Sequence, residues 1–251
     1  LYQEVLMLVL VFFLLSCGLA AMLMPGEEPA KVNDQRAAVW RRSEVTADGL
    51  GVVVAHPHPH MGGTMDDRVV LGVIEELRGR DNVTATIRFQ FSPNLEEGPD
   101  QLAAALDLLR AMPGVTQVAC VGYSFGAGAT VYLLSQRREE LLGAAKPLIA
   151  TALVALPLEM LAPFEESSSP PSETLRKALD AGMKLAIVAG DRDFVCREEA
   201  LEAFNAKIGS GLSTKVIPGA DHFFANPMHL NAAASFVVDA VAGPASAAST
   251  L

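Results

Sequence analysis

The sequence predicts an α/β domain with a mostly parallel central sheet and helices on both faces. Three observations carry this expectation. Short runs rich in β-branched residues alternate along the chain with amphipathic helical stretches, and those runs are apolar throughout rather than at every second residue. Continuous apolar strands are buried on both sides, as in a parallel sheet covered by helices. A third observation is residues 117–130, QVACVGYSFGAGAT, where one strand runs directly through a glycine-bounded turn into a helix. In such sheets the working side chains gather at the C-terminal ends of the strands.

The turn is Gly122-Tyr123-Ser124-Phe125-Gly126. A strand, sharp turn and helix around G-x-S-x-G form a nucleophile elbow. A Cβ at either glycine would collide with the neighbouring strand or helix, and the tight turn lifts the Ser124 hydroxyl clear of the sheet. It also puts the Phe125 N–H at a helix N-terminus, facing a developing oxyanion. The alternative is a serine that only caps a helix after a turn.

Composition narrows the classes. The chain has 251 residues, 51% of them hydrophobic, with a formal net charge of −10. That is enough for one α/β domain with an extension, and the absence of a basic cluster argues against a nucleic-acid partner. Its cysteines, Cys17, Cys120 and Cys196, include no C-x-x-C pair, which argues against a disulfide framework or a structural zinc site and favours a reducing compartment.

Residues 1–36 read as an apolar N-terminal segment followed by a linker. Residues 5–24 are uncharged and about as long as the roughly 20 apolar residues that span a bilayer. They suit a membrane anchor, an export signal with LLSC loosely resembling a lipoprotein processing site, or a packed or non-native extension. The first two imply membrane association or export, the last a cytoplasmic protein. Residues 25–34, PGEEPAKVND, read as the polar linker.

The body is expected over residues 37–243. Residues 39–45 alternate imperfectly, Asp48-Gly49 signals a turn, and residues 50–55 (LGVVVA) form a strand, so the body is expected to open with a hairpin. Next comes HPHPHMGGTMDD, residues 56–67. Two alternating prolines stop any ladder, so this is a loop leaving the strand's C-terminal end. His56, His58 and His60 raise a metal site, but no acidic ligand follows at metallohydrolase spacing, and the prolines need not converge the rings. The other reading is a second oxyanion donor. Pro57 has no N–H, so the donor is the amide of His58 or of a close neighbour such as His60, with Pro59 between them in the same candidate binding set, while Gly62 and Gly63 let the backbone approach a ligand. Tyr123 joins this candidate binding set from the elbow. At least one of Asp66 and Asp67 is expected to cap a helix over 68–78.

HPHPHMGGTMDD resembles the HPHPxxGGxMDN signature of the small predicted α/β-superfamily hydrolases, relatives of dienelactone hydrolase and of serine aminopeptidase-like proteins. GYSFG, GDRD and GADHFF follow in the order seen there, and the resemblance spans roughly residues 37–241. Two positions depart from it. Asp67 replaces the usual Asn, and Ser92-Pro93 follow Arg88-Phe89-Gln90-Phe91 where an arginine-glycine pair is usual. The resemblance implies an α/β-hydrolase fold with a minimal cap, and a Ser-His-Asp triad without a cofactor.

The remaining elements fit that order. Residues 83–89 read as a strand. Residues 100–112 read as a helix with Leu102, Leu106 and Leu109 on one face, followed by the elbow strand at 118–121 and its helix over 129–136. After a strand at 148–156, residues 157–180 occupy the place of a cap, here short and ending in a Ser/Pro-rich loop. Residues 184–189 form a strand closed by Gly190-Asp191-Arg192-Asp193. In this fold the triad acid follows that strand, and the register selects Asp193, with Asp191 as runner-up. A helix over 198–208 and a strand over 214–217 lead to Ala220-Asp221-His222, where His222 is placed to reach Ser124 as general base. His229 lies in a closing helix over 228–241 with a packing or surface role. Residues 244–251 read as a disordered tail.

The expected activity is therefore cleavage of an ester, thioester or small amide of a small-molecule acyl substrate, with Ser124, His222 and Asp193 as the triad. The competing readings are a hydrolase-like scaffold used only for binding and a histidine-rich metal-dependent hydrolase.

Overall fold

The computed structural model describes residues 22–44 and 49–245. Most of the apolar N-terminal stretch, the expected turn residue Asp48 and most of the expected tail lie outside the described residues. Among those described, no helix is long and apolar enough to cross a membrane.

Eight strands form one sheet in the order β1-β2-β4-β3-β5-β6-β7-β8 among the described residues. They are β1 (Glu27–Val32), β2 (Gln35–Arg41), β3 (Gly49–Ala55), β4 (Val83–Phe89), β5 (Val115–Tyr123), β6 (Leu148–Val154), β7 (Lys184–Gly190) and β8 (Leu212–Ile217). From β4 to β8 every pairing is parallel, while β1 and β2 join antiparallel at one edge.

That edge corrects two expectations. Residues 25–34 are not a linker: β1 and a two-residue turn at Asn33-Asp34 occupy them. Both turn residues have positive φ, 44° and 63°, the geometry of a tight hairpin that Asn and Asp tolerate. The opening hairpin is thus β1 with β2, not β2 with β3. Every residue of β3 is buried, and β3 lies between β4 and β5. A strand apolar on both faces belongs in the middle of a sheet, and its neighbours there are parallel.

Alternate residues divide the core. On one face Val53, Ile87, Cys120, Leu153 and Ile187 pack under α2 (Gly98–Ala111), α3 (Phe125–Gly143), α4 (Pro171–Asp180) and α5 (Glu198–Ile208). On the other, Val52, Val54, Val121, Ala152 and Val188 pack under α1 (Arg68–Arg78) and α6 (Pro227–Ala242). Leu102, Leu106 and Leu109 all face the first layer, as their spacing predicts. Truncating one of them to Ala removes about 2–5 kcal/mol.

The cap is small: a helical turn at Leu158–Leu161, a tighter turn at Ala162–Glu166, then α4. The Ser/Pro-rich stretch does not end the segment in a loop. Pro171 occupies the first turn of α4, where a missing N–H costs nothing, and Leu175 and Ala178 are buried beneath it.

Candidate active site

The site is assembled from four loops at the C-terminal ends of β3, β5, β7 and β8. Each loop is shaped by local sequence before it contributes a side chain.

After β5 the backbone turns so sharply that Ser124 sits at φ 52°, ψ −109°. A Cβ on Gly122 would lie 2.5 Å from the Gly126 carbonyl oxygen, and one on Gly126 would lie 2.6 Å from that of Ala55. Both approaches are to backbone, so neither neighbour can yield, and the two glycines are what the turn requires. Positive φ at a non-glycine residue is strain of the kind held at functional sites. Phe125 opens α3, so its N–H has no acceptor within the helix.

After β3 the chain is fixed by His56, which is fully buried. Its Nδ1 lies 2.6 Å from the Pro57 carbonyl and therefore donates, which leaves Nε2 to accept from the Phe91 amide at 2.8 Å and from the Gln90 side chain at 3.1 Å. Burial lowers its pKa to about 4, so the ring is neutral. Both nitrogens are occupied by protein, so His56 is a structural brace and not a metal ligand. Among the described residues no group of three or more His, Cys, Asp or Glu side chains is placed to hold a metal ion.

The His56 carbonyl accepts from the Gly126 amide at 3.2 Å, drawing this loop against the start of α3. His58 consequently packs edge-on to Phe125, with ring centroids 5.4 Å apart. Pro59 begins a short turn that carries His60 outward, and the His58 carbonyl accepts from the Gly63 amide at 3.0 Å. A Cβ on Gly63 would meet the Pro57 carbonyl oxygen at 2.4 Å, whereas Gly62 supplies a left-handed turn at φ 86°. The loop thus folds back on itself and sets the His58 region beside Phe125. Asp67 caps α1 by accepting from the Val69 amide at 2.8 Å, whereas Asp66 pairs with Arg88 and Arg36.

After β7, Asp193 is buried and its Oδ1 accepts from the Val195 and Cys196 amides at 2.8 and 2.9 Å. Asp191 is exposed and is used otherwise, accepting from the Gly219 amide at 2.6 Å to tie the loops after β7 and β8 together. After β8, Asp221 accepts from the amides of Phe223 and Ala225 at 3.1 and 3.0 Å, curling the chain around His222.

These loops bring Ser124, His222 and Asp193 into one hydrogen-bonded line. His222 Nε2 lies 3.0 Å from Ser124 Oγ, and Nδ1 lies 2.9 Å from both oxygens of Asp193. A carboxylate only accepts, so Nδ1 carries the proton and the Nε2 lone pair faces the serine. All three side chains are buried, with Ser124 at 8% exposure the least so.

Tyr123 differs from its expected place in the binding set. Its ring is buried and its hydroxyl donates to the His222 carbonyl at 3.0 Å, so it holds the histidine loop and does not face a ligand. Burial, with the nearby Asp67, Asp193 and Asp221 charges adding to it, raises its pKa and keeps the hydroxyl a donor. Sequence reasoning also missed Gln90, which fixes the His56 loop through both Met65 N and His56. A lone amide at the end of an apolar strand was the available signal.

The dienelactone hydrolase family model matches residues 73–243. The fold is similar to that of an α/β serine hydrolase homologue from Coxiella burnetii, at 21% identity and TM-score 0.64 over 87% of this chain and 98% of that one. It is also similar to an α/β serine hydrolase without lid from Xanthomonas campestris, at 20% identity and TM-score 0.62 over 87% and 96%. Dienelactone hydrolase from Anabaena variabilis is similar at 16% identity and TM-score 0.60 over 86% and 97%. No curated protein sequence matches this chain. The matched span covers all of the strands from β4 to β8 together with the elbow and the loops after β5, β7 and β8, and the chain accordingly belongs to the dienelactone hydrolase family and is a hydrolase of the α/β class.

Proposed function

We propose that the protein is a serine hydrolase that cleaves an ester, thioester or small amide of a small-molecule acyl substrate through an acyl-enzyme. The observation that carries this reading is the 3.0 Å and 2.9 Å relay from Ser124 Oγ through His222 to Asp193.

In the first step Ser124 Oγ bonds to the acyl carbon while its proton passes to His222 Nε2. The negative charge moves to the carbonyl oxygen, held by the Phe125 amide and an amide of the His58 region. Collapse expels the leaving group, which takes the proton from Nε2. Water then repeats the sequence: Nε2 removes its proton, its oxygen bonds to the acyl carbon, and the acid departs as Oγ recovers the proton. Asp193 keeps Nδ1 protonated and stabilises the imidazolium formed in each half. No cofactor enters this scheme.

The test is hydrolysis of nitrophenyl acetate by the full chain and by Ser124→Ala. Turnover in the parent and its loss by at least about a thousandfold in the variant is the expected result. Equal turnover by both proteins would remove Ser124 as the nucleophile.

A further inference from the structure

Beside the relay are two aromatic side chains that the fold does not need. Phe194 directly follows Asp193 and is 63% exposed, and Phe223 directly follows His222 and is 56% exposed. Their ring centroids are 6.4 Å apart. Each also lies against the imidazole, Phe194 at 5.7 Å and Phe223 at 5.4 Å from the His222 ring. A single exposed phenylalanine is ordinary, but here two lie side by side and both pack against the relay histidine, Phe194 tilted at 53° and Phe223 edge-on at 86°, so the apolar surface they make adjoins the reacting groups.

Their backbone is held in place. The Val195 and Cys196 amides bind Asp193 just beyond Phe194, and the Phe223 amide binds the Asp221 carboxylate. The rings are therefore presented by rigid turns at the mouth of the site.

The side of the site they occupy is informative. Phe125 and His58 pack in a separate group of ring contacts with Phe91, beside the backbone amides toward which the acyl carbonyl must point. The leaving oxygen, by contrast, must come within about 3 Å of His222 Nε2 to receive its proton. Any substituent on that oxygen then runs outward past the imidazole, and within two or three bonds it reaches the rings of Phe194 and Phe223.

We propose that Phe194 and Phe223 form an apolar lip that selects esters whose leaving alcohol is apolar, an aliphatic chain of several carbons or an aryl group. This inference rests on the serine-hydrolase reading and names the substrate class for it. Covering the two exposed rings with such a group removes apolar surface from water on both partners and favours it over a short or polar alcohol.

The experiment compares two substrate series, each kept below its solubility limit. One varies the alcohol, hexyl against ethyl acetate, and the other varies the acid, ethyl hexanoate against ethyl acetate. The quantity read is the ratio of kcat/KM values within each series, because kcat/KM covers the step in which the alcohol leaves. In the Phe194→Ala/Phe223→Ala double variant the alcohol ratio is expected to fall about tenfold, while the acid ratio moves less than about twofold. Phe194→Leu, which keeps apolar bulk, retains most of the alcohol preference. Labelling of Ser124 by a small fluorophosphonate checks that each variant keeps an assembled site.

Equal loss in both series, loss in the acid series alone, or no change in either would overturn the lip. Alcohol selectivity that appears only when substrate aggregates or vesicles are present would overturn it too, because the rings would then be docking on a lipid surface. A parent protein that neither labels at Ser124 nor hydrolyses any ester would overturn the hydrolase reading and the lip together, an outcome distinct from a labelled enzyme without alcohol preference.

Discussion

Glu27 closes both carboxylate oxygens on the guanidinium of Arg88, at 3.0 Å to Nε and 2.7 Å to Nη2, and neither side chain meets solvent. The pair explains why a strand as apolar as β4 tolerates an arginine. It also shows what β1 contributes, since the same guanidinium donates to the Met65 and Met22 carbonyls and pairs with Asp66. Arg88 thus joins the N-terminal hairpin to the loop that carries His56 and His58.

Removing Glu27 strips the buried Arg88 of its two-pronged partner, leaving it Asp66 alone, and takes the same carboxylate away from Arg78. Glu27→Ala is expected to cost about 3–5 kcal/mol in urea denaturation. A chain shortened to begin at Ala37 loses Glu27 and all of β1, and is expected to be destabilised at least as much. A loss below about 1 kcal/mol in Glu27→Ala would show that water or Asp66 takes over the charge.

The glycines of the site separate into two kinds, and substitution distinguishes them. Gly126→Ala drives a Cβ to 2.6 Å from the Ala55 carbonyl oxygen and should destabilise the fold by more than about 3 kcal/mol. Gly62 has open space around it and only its φ of 86° to satisfy, so Gly62→Ala should cost about 1 kcal/mol. Gly63→Ala collides with the Pro57 carbonyl and displaces the His58 region, so its expected signature is a fall in kcat that exceeds any change in stability. Denaturation midpoints measured alongside ester turnover test all three.

His56 makes stability depend on pH. Its folded pKa is lowered from 6.5 to about 4, so between those values the unfolded chain binds a proton that the folded chain refuses. Stability therefore rises with pH across that window. The contribution is complete above pH 6.5, is lost as pH falls toward 4, and amounts to about 3 kcal/mol at about 1.4 kcal/mol per pH unit. His56→Gln should flatten this part of the profile, at a constant cost for the imperfect replacement of its hydrogen bonds. An unchanged acid slope in the variant would assign the slope to other groups.

Much of this architecture could be read from residue patterns because it rests on short-range rules. A continuous apolar run such as LGVVVA marks a central strand, and Ser124, Asp193 and His222 each follow a separate strand, which is why one end of the sheet brings them together. What could not be read depends on partners distant in sequence. β1 alternates poorly, and its place is set by Glu27 meeting Arg88 across 61 residues. The helix α4 was hidden by a Ser/Pro run whose last proline begins it. Tyr123 suits ligand contact by its residue type, and the His56 ring raises a metal ligand by its; the hydrogen bond from Tyr123 to the His222 carbonyl and the one from the Phe91 amide to His56 show both facing the protein.

The two aspartates after β7 offer the sharpest test of the relay. Asp193 binds His222 Nδ1 at 2.9 Å from inside the protein, and Asp191 braces the Gly219 amide at 2.6 Å from its surface. Asp193→Asn keeps the shape but replaces an acceptor with an amide that can donate to Nδ1, which favours the tautomer with its proton on Nε2. That proton faces Ser124 Oγ, so the histidine can no longer accept from the serine, and turnover should drop by about 10⁴, the size of the effect in the serine-protease triad. Neutralising Asp191 only weakens one loop hydrogen bond, from a charge-assisted to a neutral one. Asp191→Asn keeps an acceptor for the Gly219 amide and should change ester turnover by less than about threefold, with a stability loss near 1 kcal/mol at most. Measuring kcat/KM and denaturation for both variants separates the roles. If Asp191→Asn proved the more damaging to turnover, the relay would run through the surface aspartate after a loop rearrangement, and the buried hydrogen bonds of Asp193 would be structural.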